Sequence, residues 1–74
     1  MRELDTIALG LRLRRRREEL GLTLAQLSKR SDTGTSTIHI IEHGRAAPRL
    51  DTLLRLSAAL DMPLADIIGE AGET

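Results

Sequence analysis

Apolar residues recur along most of this chain at spacings of three, four and seven, with polar residues between them. Turn-forming residues interrupt the pattern at Gly21, Asp32 to Gly34, Gly44 to Pro48 and Asp61 to Pro63, which leaves five segments of helical period. The first helix is predicted from about Thr6 to Leu20, with Leu9, Leu13 and Leu20 on one stripe and Gly21 as a C-terminal cap. The second begins at Thr23, which spells a capping box with Gln26, and turns Leu24, Leu27 and Ser28 inward or towards the third helix. The third spans about Thr35 to His43, with Ile38 and Ile41 inward and Gly44 ending it. The fourth follows Pro48, and its periodicity puts Leu50, Leu53, Leu54, Ser57 and Ala58 on one face. A short fifth helix runs from Pro63 or Leu64 to Ile68, where Leu64, Ile67 and Ile68 close the core, and the tail from Gly69 to Thr74 is expected to fray. The expectation is an all-α, compact five-helix bundle forming one domain over residues 1–74.

Composition narrows the function more than the fold. A chain of 74 residues buries only about 60% of its unfolded surface, which leaves little room for an enclosed active site. It has no cysteine, hence neither disulfides nor a thiolate metal site. It also has no Phe, Tyr or Trp, which argues against readers of single-stranded nucleic acid that stack bases on aromatic rings. Double-stranded DNA stays open as a partner, because its base edges are read by polar and aliphatic side chains. Apolar runs are two or three residues long and the start is not a signal peptide, so no membrane association is expected and a cytoplasmic location is. Net charge is zero but unevenly spread: residues 1–50 hold ten of the eleven Lys and Arg against six acids, and residues 51–74 hold one base and five acids. A basic front and acidic rear suit a protein that meets a polyanion with one side.

Candidate chemistry follows from helix geometry. With Ile38 and Ile41 inward, positions 35, 36, 39, 40 and 43 point mostly outward, and Thr, Ser and His there offer donors and acceptors for base edges and phosphates. The arginines at 12 and 14–17 circle their helix at 100° per residue instead of lining one face. His39 and His43 lie one turn apart with Glu42 between them, but two ligands on one helix do not make a metal site, and no metal or cofactor is implied. Ser31, Ser36 and Thr37 near His39 lack an oxyanion hole and a pocket, so the chain does not read as an enzyme. Ile7, Leu11, Ile67 and Ile68 exceed what so small a core takes up, and some of them are expected at a dimer contact.

Taken in order and spacing, a set of residues then points to a family. These are Arg12-Leu13 with Arg17, Gly21-Leu22-Thr23, Leu27, Thr37-Ile38, Ile41-Glu42, Gly44-Arg45, Pro48, Leu50 to Leu56 and Leu64 to Ile67. Over Leu9 to Ile68 the chain resembles the phage-repressor-like helix-turn-helix family, the Cro/repressor or Xre type with a lambda-repressor-like DNA-binding domain. The resemblance implies a helix-turn-helix at about residues 23–43 and a homodimer on operator DNA with the third helix in the major groove. Thr35, Ser36 and Ile40, with His39 near them, would face bases. Thr23, Leu24, Thr37, Arg45 and Arg49 would face phosphates. Arg17 would pair with Glu42 and link the first helix to the third.

The sequence departs from the family pattern at Leu24, where many relatives have Gln, at Gly34, where Ser or Thr usually caps, and at Ile40, where Arg or Gln is common. Ser28 replaces a small Ala, and Asp32 replaces the turn Gly at a position where Asp tolerates a left-handed backbone. Ile40 can touch a thymine methyl but makes no bidentate hydrogen bond, so modest base readout with a large shape component is expected. The implied function is a sequence-preferring, double-stranded DNA-binding transcriptional regulator, a repressor acting by occupancy on a palindromic operator. The alternative is a helix-turn-helix module that binds a partner protein, as an antitoxin or regulatory subunit, with weakened DNA binding. Leu24, Ile40 and the zero net charge favour that alternative.

Overall fold

Five helices follow one another in the computed structural model, which describes residues 4–69: α1 (Thr6–Glu19), α2 (Leu24–Ser31), α3 (Thr35–Glu42), α4 (Leu50–Leu60) and α5 (Leu64–Ile68). No strand occurs among the described residues. The fraying expected of the tail lies, from residue 70 onward, outside them.

Local chemistry sets the boundaries. Asp5 caps α1 by accepting from the Ala8 N–H at 3.0 Å. At the other end Gly21 takes φ +69°, its N–H donates to Glu18 O and the Leu22 N–H donates to Arg17 O. This six-to-one and five-to-two pair of bonds stops α1 at Glu19. Leu20 therefore does not extend the Leu9/Leu13 stripe as the spacing predicts; it sits exposed at the helix end, and Leu22 beyond the glycine enters the core. The capping box of α2 closes in both directions, from Thr23 N–H to Gln26 Oε1 (2.8 Å) and from Gln26 N–H to Thr23 Oγ1 (3.1 Å). Asp32 ends α2 in the left-handed region at φ 51° and starts the turn into α3.

The core is built from Leu and Ile alone: Leu9, Leu13, Leu22, Leu27, Ile38, Ile41, Leu53, Leu56, Leu60 and Ile67. α1 packs on α3 and α5, α2 packs on α3 and α4, and α4 packs on α5. Two expectations need correction here. The buried face of α4 is Thr52, Leu53, Leu56 and Leu60, whereas Leu50, Leu54 and Ala58 are exposed. Ile67 is fully buried, which removes it from the residues expected at a dimer contact; Ile68 is half-buried against the core, and Ile7 and Leu11 stay exposed.

Arginine side chains take up the helix ends that caps leave open. Arg12 donates to Ile67 O at the end of α5 (3.3 Å), and Arg16 donates to Leu60 O (2.9 Å) and Asp61 O (3.3 Å) at the end of α4. Arg55 donates to Ser31 O at the end of α2 (3.2 Å). Neither α4 nor α5 carries a base in its own last turn, so α1 provides the cations that C-terminal carbonyls favour. The arginine run is thus largely internal equipment, with Arg14 on the surface pairing with Glu18 at 3.3 Å.

Candidate nucleic-acid interface

The turn of Asp32 to Gly34 sets α3 with Ile38 and Ile41 in the core and Thr35, Ser36, Thr37, His39 and Ile40 outward. Gly34 provides no side-chain cap for α3, so the first N–H groups of this helix stay available at its exposed start. Thr35, Ser36, His39 and Ile40 line one shallow groove together with Leu24 at the start of α2. Ile40 is 40% exposed and also borders a second groove, lined beyond it by Thr37, Ala46, Ala47, Pro48 and Arg49. The structure therefore brings the four base-facing candidates onto one surface and sets Thr37 and Arg49 beside it. Leu24 shares the groove of the base-facing candidates, a placement its sequence position as a phosphate contact does not convey.

The remaining candidates flank this surface. Thr23 stands at the α2 N-cap with its Oγ1 accepting from Gln26. Arg45 follows Gly44 and is exposed; its backbone N–H donates to Ile40 O at 3.1 Å. Arg49 is exposed and lies 3.3 Å from Asp51, which also accepts from Arg55 at 3.2 Å. The Arg55 hydrogen bond, helped by the charge of Arg49, holds the Asp51 carboxyl below its ordinary value. Within residues 21–49 the exposed charges are Lys29, Arg30, Arg45 and Arg49 against Asp32 alone, the sign that attracts a polyanion.

Two contacts with α1 fix the tilt of α3. Arg17 Nε and Nη2 donate to the two carboxylate oxygens of Glu42 at 2.8 and 2.9 Å, and Arg17 Nη1 donates to Leu22 O at 2.9 Å. The side chains are 13% and 2% exposed, so this bidentate pair is largely withdrawn from solvent and its charge is neutralised within the fold. The hydrogen bond to Glu42 raises the Arg17 guanidinium above its ordinary value, against the opposing effect of burial. Beside the pair, α1 crosses α3 at Gly10, where a Cβ would lie 2.7 Å from Glu42 O and closer still to Ile41 O. Only glycine lets the two backbones approach this closely.

His39 and His43 stack with ring centroids 4.0 Å apart, and His43 Nδ1 donates to His39 O at 2.9 Å. Among the described residues no three His, Asp or Glu side chains converge on one point. The chemistry on display is hydroxyl, imidazole and aliphatic, suited to contact and not to bond making.

This geometry, a capped helix, a tight turn and a second helix with an exposed polar start, is a helix-turn-helix. A family model for the helix-turn-helix domain matches residues 8–67, and the chain belongs to that family. The phage-repressor-like resemblance and the all-α fold hold. Among solved structures, the chain is similar to the restriction-modification controller protein C.AhdI of Aeromonas hydrophila, with a TM-score of 0.82 and 29% identity over 88% of this chain and 98% of that one. It is similar as well to the clp gene regulator ClgR of Corynebacterium glutamicum, with a TM-score of 0.80 and 31% identity over 95% of this chain and 91% of that one. A search of the curated proteins gave no match. The fold and family are those of DNA-binding regulators rather than enzymes, and no helix among the described residues is long and apolar enough to cross a membrane.

Proposed function

We propose that this chain is a sequence-preferring, double-stranded DNA-binding regulator that represses as a homodimer on a palindromic operator in the cytoplasm, with residues 1–74 acting as one domain. The observation that carries the reading is the convergence of Thr35, Ser36, His39 and Ile40 on one exposed face of α3, flanked by Arg45 and Arg49. The similarity to a controller protein and a gene regulator supports it. Thr35, Ser36 and His39 meet base edges, and Thr23, Leu24, Thr37, Arg45 and Arg49 lie along the phosphates, Leu24 through its backbone. The Arg17–Glu42 pair keeps α3 at the angle the groove requires. Two copies set two α3 helices in successive major grooves ~34 Å apart. Ile7 and Leu11 of α1, and Leu50 and Leu54 of α4, offer apolar surface for the second copy.

The second reading, a module that docks a partner protein, is favoured by one observation: two of the residues lining the α3 groove, Leu24 and Ile40, are aliphatic. Selection from a random duplex library at two salt concentrations separates the two. A regulator enriches a palindrome with half-sites about one helical turn apart and loses affinity as salt rises. Thr35→Ala and Ser36→Ala then shift the enriched sequence more than the affinity. A partner-binding module enriches nothing and ignores duplex DNA at low salt.

A further inference from the structure

We infer that this protein selects its duplex by the 5-methyl groups of pyrimidines in the major groove, which meet Leu24 and Ile40 in the α3 groove. The inference rests on the DNA-binding reading above and names the feature of the DNA that is read.

Three observations lead to it. First, α3 carries no Arg, Lys, Asn or Gln, so the two-bond contacts that mark guanine and adenine cannot be made from it. Thr35, Ser36 and His39 each bring one hydrogen-bonding group at a time, which discriminates weakly. Second, the nearest amide, Gln26, has its Oε1 committed to the Thr23 N–H in the capping box and so lacks the acceptor that a bidentate contact to adenine uses. Third, the groove that holds the hydroxyls and the imidazole is lined as well by two aliphatic side chains, Leu24 on α2, half-buried against the core, and the more exposed Ile40 on α3. The only apolar group that base pairs display in the major groove is the pyrimidine 5-methyl, present in thymine and 5-methylcytosine and absent from uracil and cytosine. The surrounding charge fits the same occupant, since four exposed bases and one exposed acid lie within residues 21–49. Aliphatic side chains inside a basic, hydroxyl-bearing face fit a thymine-bearing duplex better than an apolar peptide.

The methyl can be removed without touching a hydrogen bond. The duplex enriched by library selection is resynthesised with deoxyuridine at each thymine in turn, and binding is measured by fluorescence anisotropy of the labelled duplex. Losing one buried methyl weakens binding about fourfold, the equivalent of one CH2 group returned to water. Removing the symmetric thymine in the other half-site as well brings the loss to about fifteenfold if the two contribute independently. Ile40→Ala, at a partly exposed position that leaves the core intact, binds the thymine and uracil duplexes alike, and Leu24→Gln narrows the difference. At the same position a 5-methylcytosine·guanine pair binds more tightly than the cytosine·guanine pair, because only the methyl differs between them. Equal binding of thymine and uracil duplexes by the unaltered protein overturns the methyl inference and leaves the regulator standing. A methyl preference that persists in both Ile40→Ala and Leu24→Gln also overturns it. If no duplex is enriched at all, both readings fall together.

Discussion

Glu42→Ala tests the geometry most directly, because it deletes one half of the pair that ties α3 to α1. Glu42 is 2% exposed and accepts two hydrogen bonds from Arg17 at 2.8 and 2.9 Å. Its removal leaves the guanidinium 13% exposed, with Leu22 O as its acceptor and no counter-charge. Deleting one partner of a buried pair costs about 3–5 kcal/mol, and the residual solvent access of Arg17 places this case near about 3. A domain of this size has a total stability of roughly 4–11 kcal/mol, so the variant loses a large share of it. At about 4–8 °C per kcal/mol, Tm drops by about 12–24 °C. Circular dichroism at the helical band is the assay, since a chain without aromatic residues other than histidine has no tryptophan signal to follow. The hydrogen bond to Glu42 raises the Arg17 guanidinium above its ordinary, strongly basic value, so its contribution is complete throughout the neutral range and lost only in strong alkali. The Tm difference is therefore the same at pH 6 and pH 9. Replacing both residues by Met recovers much of the loss, because the cost is the stranded charge and not the missing salt bridge. A Tm change below 3 °C for Glu42→Ala would refute the claim that this pair holds α3 in place.

Three further outcomes are expected. Gly10→Ala forces a methyl against the α3 backbone and destabilises by at least about 1–3 kcal/mol, visible as a lower midpoint in urea, while Gly34→Ala, which meets nothing closer than Thr37 Oγ1 at 3.8 Å, changes little. Arg45→Ala weakens binding to all duplexes alike and flattens the dependence of log affinity on log salt by about one unit; a change in sequence preference instead would make Arg45 a base reader. The Asp51 carboxyl is held low by Arg55, so its small contribution to stability is present above its ordinary value of 3.8 and drains away as pH falls below it. Titration by NMR shows Asp51 protonating at a lower pH than in the Arg55→Ala variant, and equal midpoints would remove that bond.

What the sequence conveyed depended on whether the signal was local. Gly21, the Thr23–Gln26 box and the left-handed Asp32 act within five residues of themselves, and the structure puts each where its chemistry demands. α4 shows the limit: its leucines at 50, 53, 54, 56 and 60 satisfy helical spacing on two faces, and only the position of α2 and α5 decides that 53, 56 and 60 go inside. Leu20 failed for a related reason, since spacing from Leu13 says nothing about a helix that has already ended. The roles of Arg12 and Arg16 were hidden because their carbonyl partners lie far along the chain. The α3 face was legible once Ile38 and Ile41 were taken as buried, whereas the sharing of one groove by Leu24 and Ile40 needed the angle between α2 and α3.

The arginine contacts of α1 bear on the order in which the protein is made. Their acceptors at Glu42, Leu60 and Ile67 lie 25, 44 and 55 residues downstream of the arginines that reach them. α1, made before the other four helices, is thus the last to be satisfied, since its closing bond waits for α5 to be synthesised. Until then α2, α3 and α4 have only one another to pack against, and the crossing at Gly10 stays open. Any chain cut short before Ile67 lacks the acceptor for Arg12 and the residue that plugs the core. Synthesis of these five helices therefore carries a quality check: α3 becomes a rigid platform only once the chain has been made as far as α5.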